Sequence, residues 1–189
     1  MFVIILNHFY RWPLYDRGVE TIKFWQSYEF WLLDWFFLTI TMVIDPSVVF
    51  LGAILMIILS RRKGKAFLML MFILFNVFLA ALLKAYDCDP RPIWTSDEVR
   101  NIGFYCPVEY GNPSGHSWFS AVIGFGILLE YNGAGKNFRN VWYSLLLTIL
   151  VPISRMYLGA HSLNQVLEGL TLGLACCLLY PFFVKRKLL

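Results

Sequence analysis

Between Lys65 and Lys84 the chain runs for eighteen residues with one polar side chain, Asn76. A run of that length and apolarity reads as a helix that crosses a membrane. In hydrocarbon the backbone must satisfy its own hydrogen bonds, and a helix does so within a single segment. The rest of the chain is consistent with this. Only 15% of its 189 residues are charged and 59% are hydrophobic, against about 25% charged in an ordinary soluble domain. Such a chain has too few polar side chains to cover a water-facing surface. The expected fold is all-α: one domain over residues 1–189, a polytopic membrane helix bundle.

Five core spans can be read in order. Pro46 to Ser60 begins at a proline, a favoured first helical residue. Ala66 to Lys84 follows, then Ser114 to Tyr131, Val141 to about Ile153, and His161 to about Val184. Several are near or below the roughly 20 residues a crossing needs, so they must extend into their flanks. The core is therefore residues 46–184. Residues 1–45 form an N-terminal interfacial segment. Within it, Asn7 to Lys23 mixes aromatic and charged residues, and Pro13 is expected to break it. Tyr28 to Ile44 is apolar but carries Glu29 and Asp34. An acid at the bilayer centre costs about 2.5 to 3.5 kcal/mol on the insertion scale, which favours an interfacial or re-entrant helix. A true first span that tolerates both acids is the alternative. No Lys/Arg-rich start followed by an apolar core and cleavage site opens the chain, so no cleaved leader is expected.

Charge orients the bundle. Arg61-Arg62-Lys63-Gly64-Lys65, the Asn132–Asn140 connection and the tail Lys185-Arg186-Lys187 hold nine basic residues and no acid. With alternating spans all three fall on one side, which the positive-inside rule makes cytoplasmic. The loop from Ala85 to Asn112, with five acids against two arginines, then faces the lumen or exterior. The housing membrane would be the endoplasmic reticulum or the plasma membrane.

Chemistry-bearing residues collect at that outer face. Tyr110-Gly-Asn-Pro-Ser-Gly-His-Ser-Trp118 predicts a helix start, with Ser114 as N-cap and His116 in the first turn. The free amides and dipole of that turn suit an anion. Lys84 ends the second span, and Arg91 stands on a stiff loop between Pro90 and Pro92. Ser154 and Arg155 close the fourth span, and His161 opens the fifth after a turn at Gly159. Each residue has an ordinary reading: Lys84 snorkelling, Arg91 paired with Asp87 or Asp89, His161 bonding between helices. Together, from four helix ends, three cations and two histidines suit a small, highly charged anion such as phosphate.

Lys84 with six residues then Arg91-Pro92, Pro113-Ser114-Gly115-His116, and Ser154-Arg155 with five residues then His161 resemble the three-part signature of the type 2 phosphatidic acid phosphatase superfamily. That superfamily also includes the vanadium haloperoxidases. The resemblance covers about Asp34 to Val184. It implies a phosphatase in which His161 attacks phosphorus and His116 protonates the leaving oxygen. Lys84, Arg91, Arg155, Ser114 and the Gly115 amide would bind the phosphate. No cofactor or metal is implied, and no carboxylate or histidine cluster in the sequence has the spacing of a metal site. One departure stands out. The family usually carries Asp four residues after the last histidine, and this chain has Gln165, which can orient an imidazole but brings no charge. Gln165, together with Arg91-Pro92-Ile93-Trp94, resembles the glucose-6-phosphatase branch.

The expected substrate is a phosphorylated lipid or a sugar phosphate, met in a lipid membrane. Nothing points to nucleic acid, and oligomeric state is left open. A catalytically inactive binding member of the same fold is the competing function, and intact His116 and His161 weigh against it. A transporter is disfavoured because no inverted repeat is visible. Cys176 and Cys177 are read as two buried thiols. Cys88 and Cys106 share the outer loop, as a disulfide or as free thiols.

Overall fold

The computed structural model describes residues 2–103, 107–131 and 138–185, with side chains described for 9–103, 107–125 and 140–180. Among the described residues it is all helical. The helices are α1 (Phe2–Gln26), α2 (Trp31–Val43), α3 (Pro46–Leu59), α4 (Lys63–Asp87), the four-residue α5 (Pro92–Thr95), α6 (Gly115–Tyr131), α7 (Phe138–Tyr157) and α8 (Leu163–Lys185).

The expected core spans are all helices. Lys63–Thr95 and Leu163–Tyr180 are each long and apolar enough to cross a membrane. One expected span needs correction. α2 and α3 meet at a bend of 41° and pass the same test only as a pair, a broken span or a re-entrant loop, so Pro46 to Ser60 is the second half of a bent element. Asp34 sits at the start of that pair, not in its middle. It lies in the first turn of α2, where it accepts a 2.7 Å hydrogen bond from the Tyr157 hydroxyl at the far end of α7. An acid is favourable at that helix terminus and there need not enter hydrocarbon. Pro13 does not break the first segment either, because α1 continues through it. α1 is the element that lies across one end of the bundle. It reaches from Asp87, where Arg11 donates to the backbone oxygen at 2.8 Å, to Tyr157, where Gln26 donates to the backbone oxygen at 2.7 Å. Tyr15, Val19 and Ile22 bury against Val99, Met156 and Val166 on the way.

α6 is packed inside the bundle, which relaxes the demand for apolarity on its buried faces, whereas α7 leaves Trp142, Tyr143 and Ile149 exposed. α6 is clasped between α7 and α8. Its Trp118 is fully buried with Phe72, Val122, Cys176, Cys177 and Tyr180. The indole N–H of Trp118 donates to Asn76 Oδ1 at 2.8 Å, and the Asn76 amide donates to Phe72 O at 2.8 Å. The one polar residue of the long apolar run is thereby satisfied and ties α4 to α6. Cys176 and Cys177 are buried thiols, as expected. Cys88 is exposed, and its pairing with Cys106 lies outside the described residues, as do Lys136, Arg186 and Lys187.

The α6–α8 seam depends on two glycines one turn apart. A Cβ at Gly169 would stand 2.4 Å from Ser114 O, and one at Gly173 would stand 2.5 Å from Trp118 O. Both obstacles are backbone, so a side chain must push the helices apart. Gly169→Val is expected to cost about 1–3 kcal/mol, the usual penalty of overpacking. The measurement is thermal unfolding in detergent. An unchanged midpoint would contradict the seam as described.

Candidate active site

The end of the bundle that α1 crosses gathers the terminus of α4, the start of α6, the end of α7 and the start of α8. The short α7–α8 connection is possible because Gly159 adopts a left-handed φ of 75°. It places His161 just before α8, where it is 2% exposed.

The hydrogen bonds of His161 assign its tautomer. Arg91 Nη1 lies 3.3 Å from His161 Nε2. A guanidinium has no acceptor, so Nε2 presents its lone pair and the proton sits on Nδ1. Nδ1 then donates to Gln165 Oε1 at 3.3 Å. The orientation of the glutamine amide is fixed independently. Its Nε2 donates to Pro90 O at 2.7 Å, and its Oε1 also accepts from Ser162 N–H at 3.2 Å. Gln165 is fully buried, and a Cβ at Gly111 would collide with its amide at 2.5 Å. The basic nitrogen of His161 is thus aimed at the cations. Burial first, then Arg91, Arg155, Lys84 and His116, push its pKa well below the ordinary imidazole value, so the ring is neutral. Arg91, Arg155, Lys84 and His116 are all near enough to act electrostatically on this ring.

Arg91 is 3% exposed and doubly anchored. Its Nε donates to Glu109 O at 2.7 Å and its Nη1 to Ala160 O at 3.0 Å. The expected alternative of an Arg91–Asp89 pair is not what forms. Asp89 is fully buried and is engaged by Arg11 of α1 and by Asn164. Arg155 Nη1 donates to Thr41 Oγ1 of α2 at 3.0 Å. Lys84 pairs with Glu109, a residue the sequence reading did not single out. Burial would raise the Glu109 carboxyl, yet Lys84, Arg91 and Arg155 hold it below the ordinary carboxylate value. A carboxylate therefore stands where the cations collect. Ser114 is fully buried and caps α6, accepting from the Ser117 hydroxyl at 3.0 Å, which leaves its own hydroxyl hydrogen to donate. Its backbone N–H is committed to Gln165 O at 3.0 Å. Gly115 opens α6 beside it. Among the described residues no group of three or more His, Cys, Asp or Glu side chains is arranged to hold a metal.

A cavity of about 340 Å³ opens beside His116 and Arg155. Its lining mixes apolar Leu38, Met42 and Val48 of α2 and α3 with polar Thr41, Asp45 and Asn101.

Gln165 touches His161 and the Pro90 carbonyl. Gln165→Ala is expected to lower kcat by roughly 10–100-fold, the usual weight of a partner behind a reactive imidazole, with KM little changed. Gln165→Asp, which keeps an acceptor for Nδ1–H, should recover part of the loss. A change confined to KM would contradict the positioning role.

Residues 64–188 match the family model described as the PAP2 superfamily. Lipid phosphate phosphatase delta of Arabidopsis thaliana is 29% identical over 171 residues, covering 82% of this chain and 39% of that protein. Dihydrosphingosine 1-phosphate phosphatase YSR3 of Saccharomyces cerevisiae is 27% identical over 119 residues, covering 59% of this chain and 28% of that protein. The chain thus spans well under half the length of the curated relatives it matches. Among solved structures, the transmembrane PAP2 type phosphatidylglycerolphosphate phosphatase from Bacillus subtilis superposes with a TM-score of 0.79 at 23% identity, over 98% of this chain and 94% of that one. LpxE of Aquifex aeolicus gives 0.68, also at 23% identity, over 85% and 92%. At that identity the structural likeness speaks for the fold.

Proposed function

The chain belongs to the PAP2 superfamily, and from that premise and the site geometry we propose that it is a membrane phosphatase acting on a lipid phosphate through a covalent histidine intermediate. The observation that carries the catalytic part is the neutral His161, whose Nε2 lone pair faces Arg91. In the first step His161 Nε2 bonds to phosphorus as the ester P–O bond breaks, and His116, which the bound phosphate dianion would hold protonated, gives that proton to the leaving oxygen. In the second step His116 takes a proton from water, the new oxygen bonds to phosphorus, and the P–N bond breaks to free inorganic phosphate and His161. Lys84, Arg91 and Arg155, with the Ser114 hydroxyl and the Gly115 amide, stabilise the charge on the equatorial oxygens. Three fixed cations supply the neutralisation that Mg²⁺ gives other phosphoryl-transfer enzymes, so the reaction needs no metal.

The apolar side chains Leu38, Met42 and Val48 in the cavity lining, together with the lipid phosphate phosphatase relatives, support a lipid over a sugar phosphate. The sugar-phosphate reading rests on Gln165 and the Arg91-Pro92-Ile93-Trp94 run. Each buried methylene contributes about 0.8 kcal/mol, so four of them in the cavity favour a lipid roughly 200-fold. The basic α3–α4 hairpin at the other end supports a catalytic end facing away from the cytosol.

The test is a phosphate-release assay of purified protein against phosphatidate, a long-chain base 1-phosphate, a polyprenyl diphosphate and glucose 6-phosphate, each with and without EDTA. A lipid phosphate should be turned over best, and EDTA should leave the rate unchanged. Preference for glucose 6-phosphate would overturn the substrate reading. Loss in EDTA with recovery on Mg²⁺ would overturn the metal-independent one.

A further inference from the structure

A second cavity of about 750 Å³ runs along α3 and α4, from the α2–α3 junction at Val43, Ile44 and Val48 to Arg61, Arg62 and Lys65 at the end of the bundle away from the histidines. Val49, Met56, Met69 and Tyr180 line its walls, and Arg61, Arg62 and Lys65 stand at its mouth. From Val48 to Ser60, α3 borders it over about 18 Å at 1.5 Å per residue.

The mouth is electrostatically odd for a helix start. α4 begins there, with Arg62 at the N-cap position, no side-chain cap and no acid in its first turn. Arg61, Arg62, Lys63 and Lys65 thus surround the positive end of a 25-residue helix. Cations at that end are disfavoured, and the first-turn amides have no intrahelical acceptor. Cations near the end of a span suffice to orient it in the membrane. Orientation does not call for an uncapped helix terminus opening onto an apolar cavity. An anion with an apolar tail answers all three features at once.

We propose that this groove is a binding site for an anionic phospholipid of the leaflet opposite the catalytic end. Its phosphate rests on Arg61, Arg62, Lys65 and the first amides of α4, and an acyl chain lies along the groove. The cationic mouth is far from the histidines, although the groove's other end shares Val48 with the catalytic cavity. Gly52 sets the room available, because it lines the cavity and a Cβ added there would meet nothing within 4 Å.

The test uses phosphatidylserine, a phosphodiester and hence not a monoester substrate. Purified full-length protein is released from phosphatidylcholine vesicles containing a minor share of phosphatidylserine, and its retained lipid is measured by native mass spectrometry. Wild type should retain phosphatidylserine in preference to phosphatidylcholine. Substituting Arg61→Gln, Arg62→Gln and Lys65→Gln together should cut retention by about fivefold for each cation removed. Gly52→Phe leaves every cation in place and fills the groove, so it should reduce retention without altering membrane insertion. Equal retention of the two lipids, or Gly52→Phe protein that binds like wild type, would overturn the site. So would competition by glycerophosphoserine, which carries the headgroup without chains. None of these readouts involves turnover, so failure here is distinguishable from failure of the phosphatase reading.

Discussion

His161→Ala is expected to abolish turnover, with a loss in kcat of about 10⁴-fold or more, the scale seen when a nucleophile is removed. Every hydrogen bond around this ring serves one atom. Gln165 accepts the hydrogen bond from Nδ1–H, Pro90 and Ser162 hold Gln165, and Arg91 faces the bare Nε2. A merely structural histidine would have no need of an unprotonated nitrogen turned toward Arg91. Truncation leaves a cavity at a buried site, so some stability is lost as well, on the order of 1–3 kcal/mol. Thermal unfolding separates this from the catalytic effect. Brief incubation of wild type with substrate radiolabelled on phosphorus should leave a phosphoryl group on the protein that survives alkali and is released by acid. His161→Ala protein should carry none. Substantial residual rates would remove His161 as nucleophile.

Arg91→Ala should cost about 10³-fold in kcat/KM, at or above the roughly 10²–10³ typical of a single oxyanion donor. Arg91 holds the Glu109 and Ala160 carbonyls and faces His161 at the same time. Removing it strips charge from the site, leaves two carbonyls without their donor and frees the strap that carries His161. Arg91→Lys divides these roles. It restores a point charge but not the fork, so it should recover binding more than kcat. The pair of variants is read by steady-state kinetics at saturating and limiting substrate. If Arg91→Lys matched wild type, positioning through the fork would be refuted.

The core helices and the cluster at their ends were legible because both leave local marks. A run such as 66–83 can only be a buried or lipid-facing helix, and cations at helix ends on one side of a membrane are hard to place otherwise. What escaped was tertiary. Pro13 marks a break by local rules, yet α1 continues through it and packs across the bundle end, held by Arg11 and Gln26. Asp34 seemed too costly for a span because its depth was unknown, and Tyr157, which bonds it, is distant in sequence. Gly169 and Gly173 matter through backbone that lies beyond them on α6. Glu109 was one of several loop acids, and only the fold shows that it pairs with Lys84. Gln165 was seen as a departure from the family pattern. The structure gives it a neutral role, accepting one proton from His161, for which no charge is required.

The whole account depends on Lys84, Arg91, His116, Arg155 and His161 serving one tetrahedral anion. Orthovanadate takes the shape of phosphoryl in transit, so an experimental structure of the protein with vanadate is the most direct test. Vanadium should lie at bonding distance from His161 Nε2, with its equatorial oxygens on the three cations and His116 beside the oxygen opposite the bond. Vanadate bound away from His161, or His116 and His161 too far apart to touch the same ion, would contradict it.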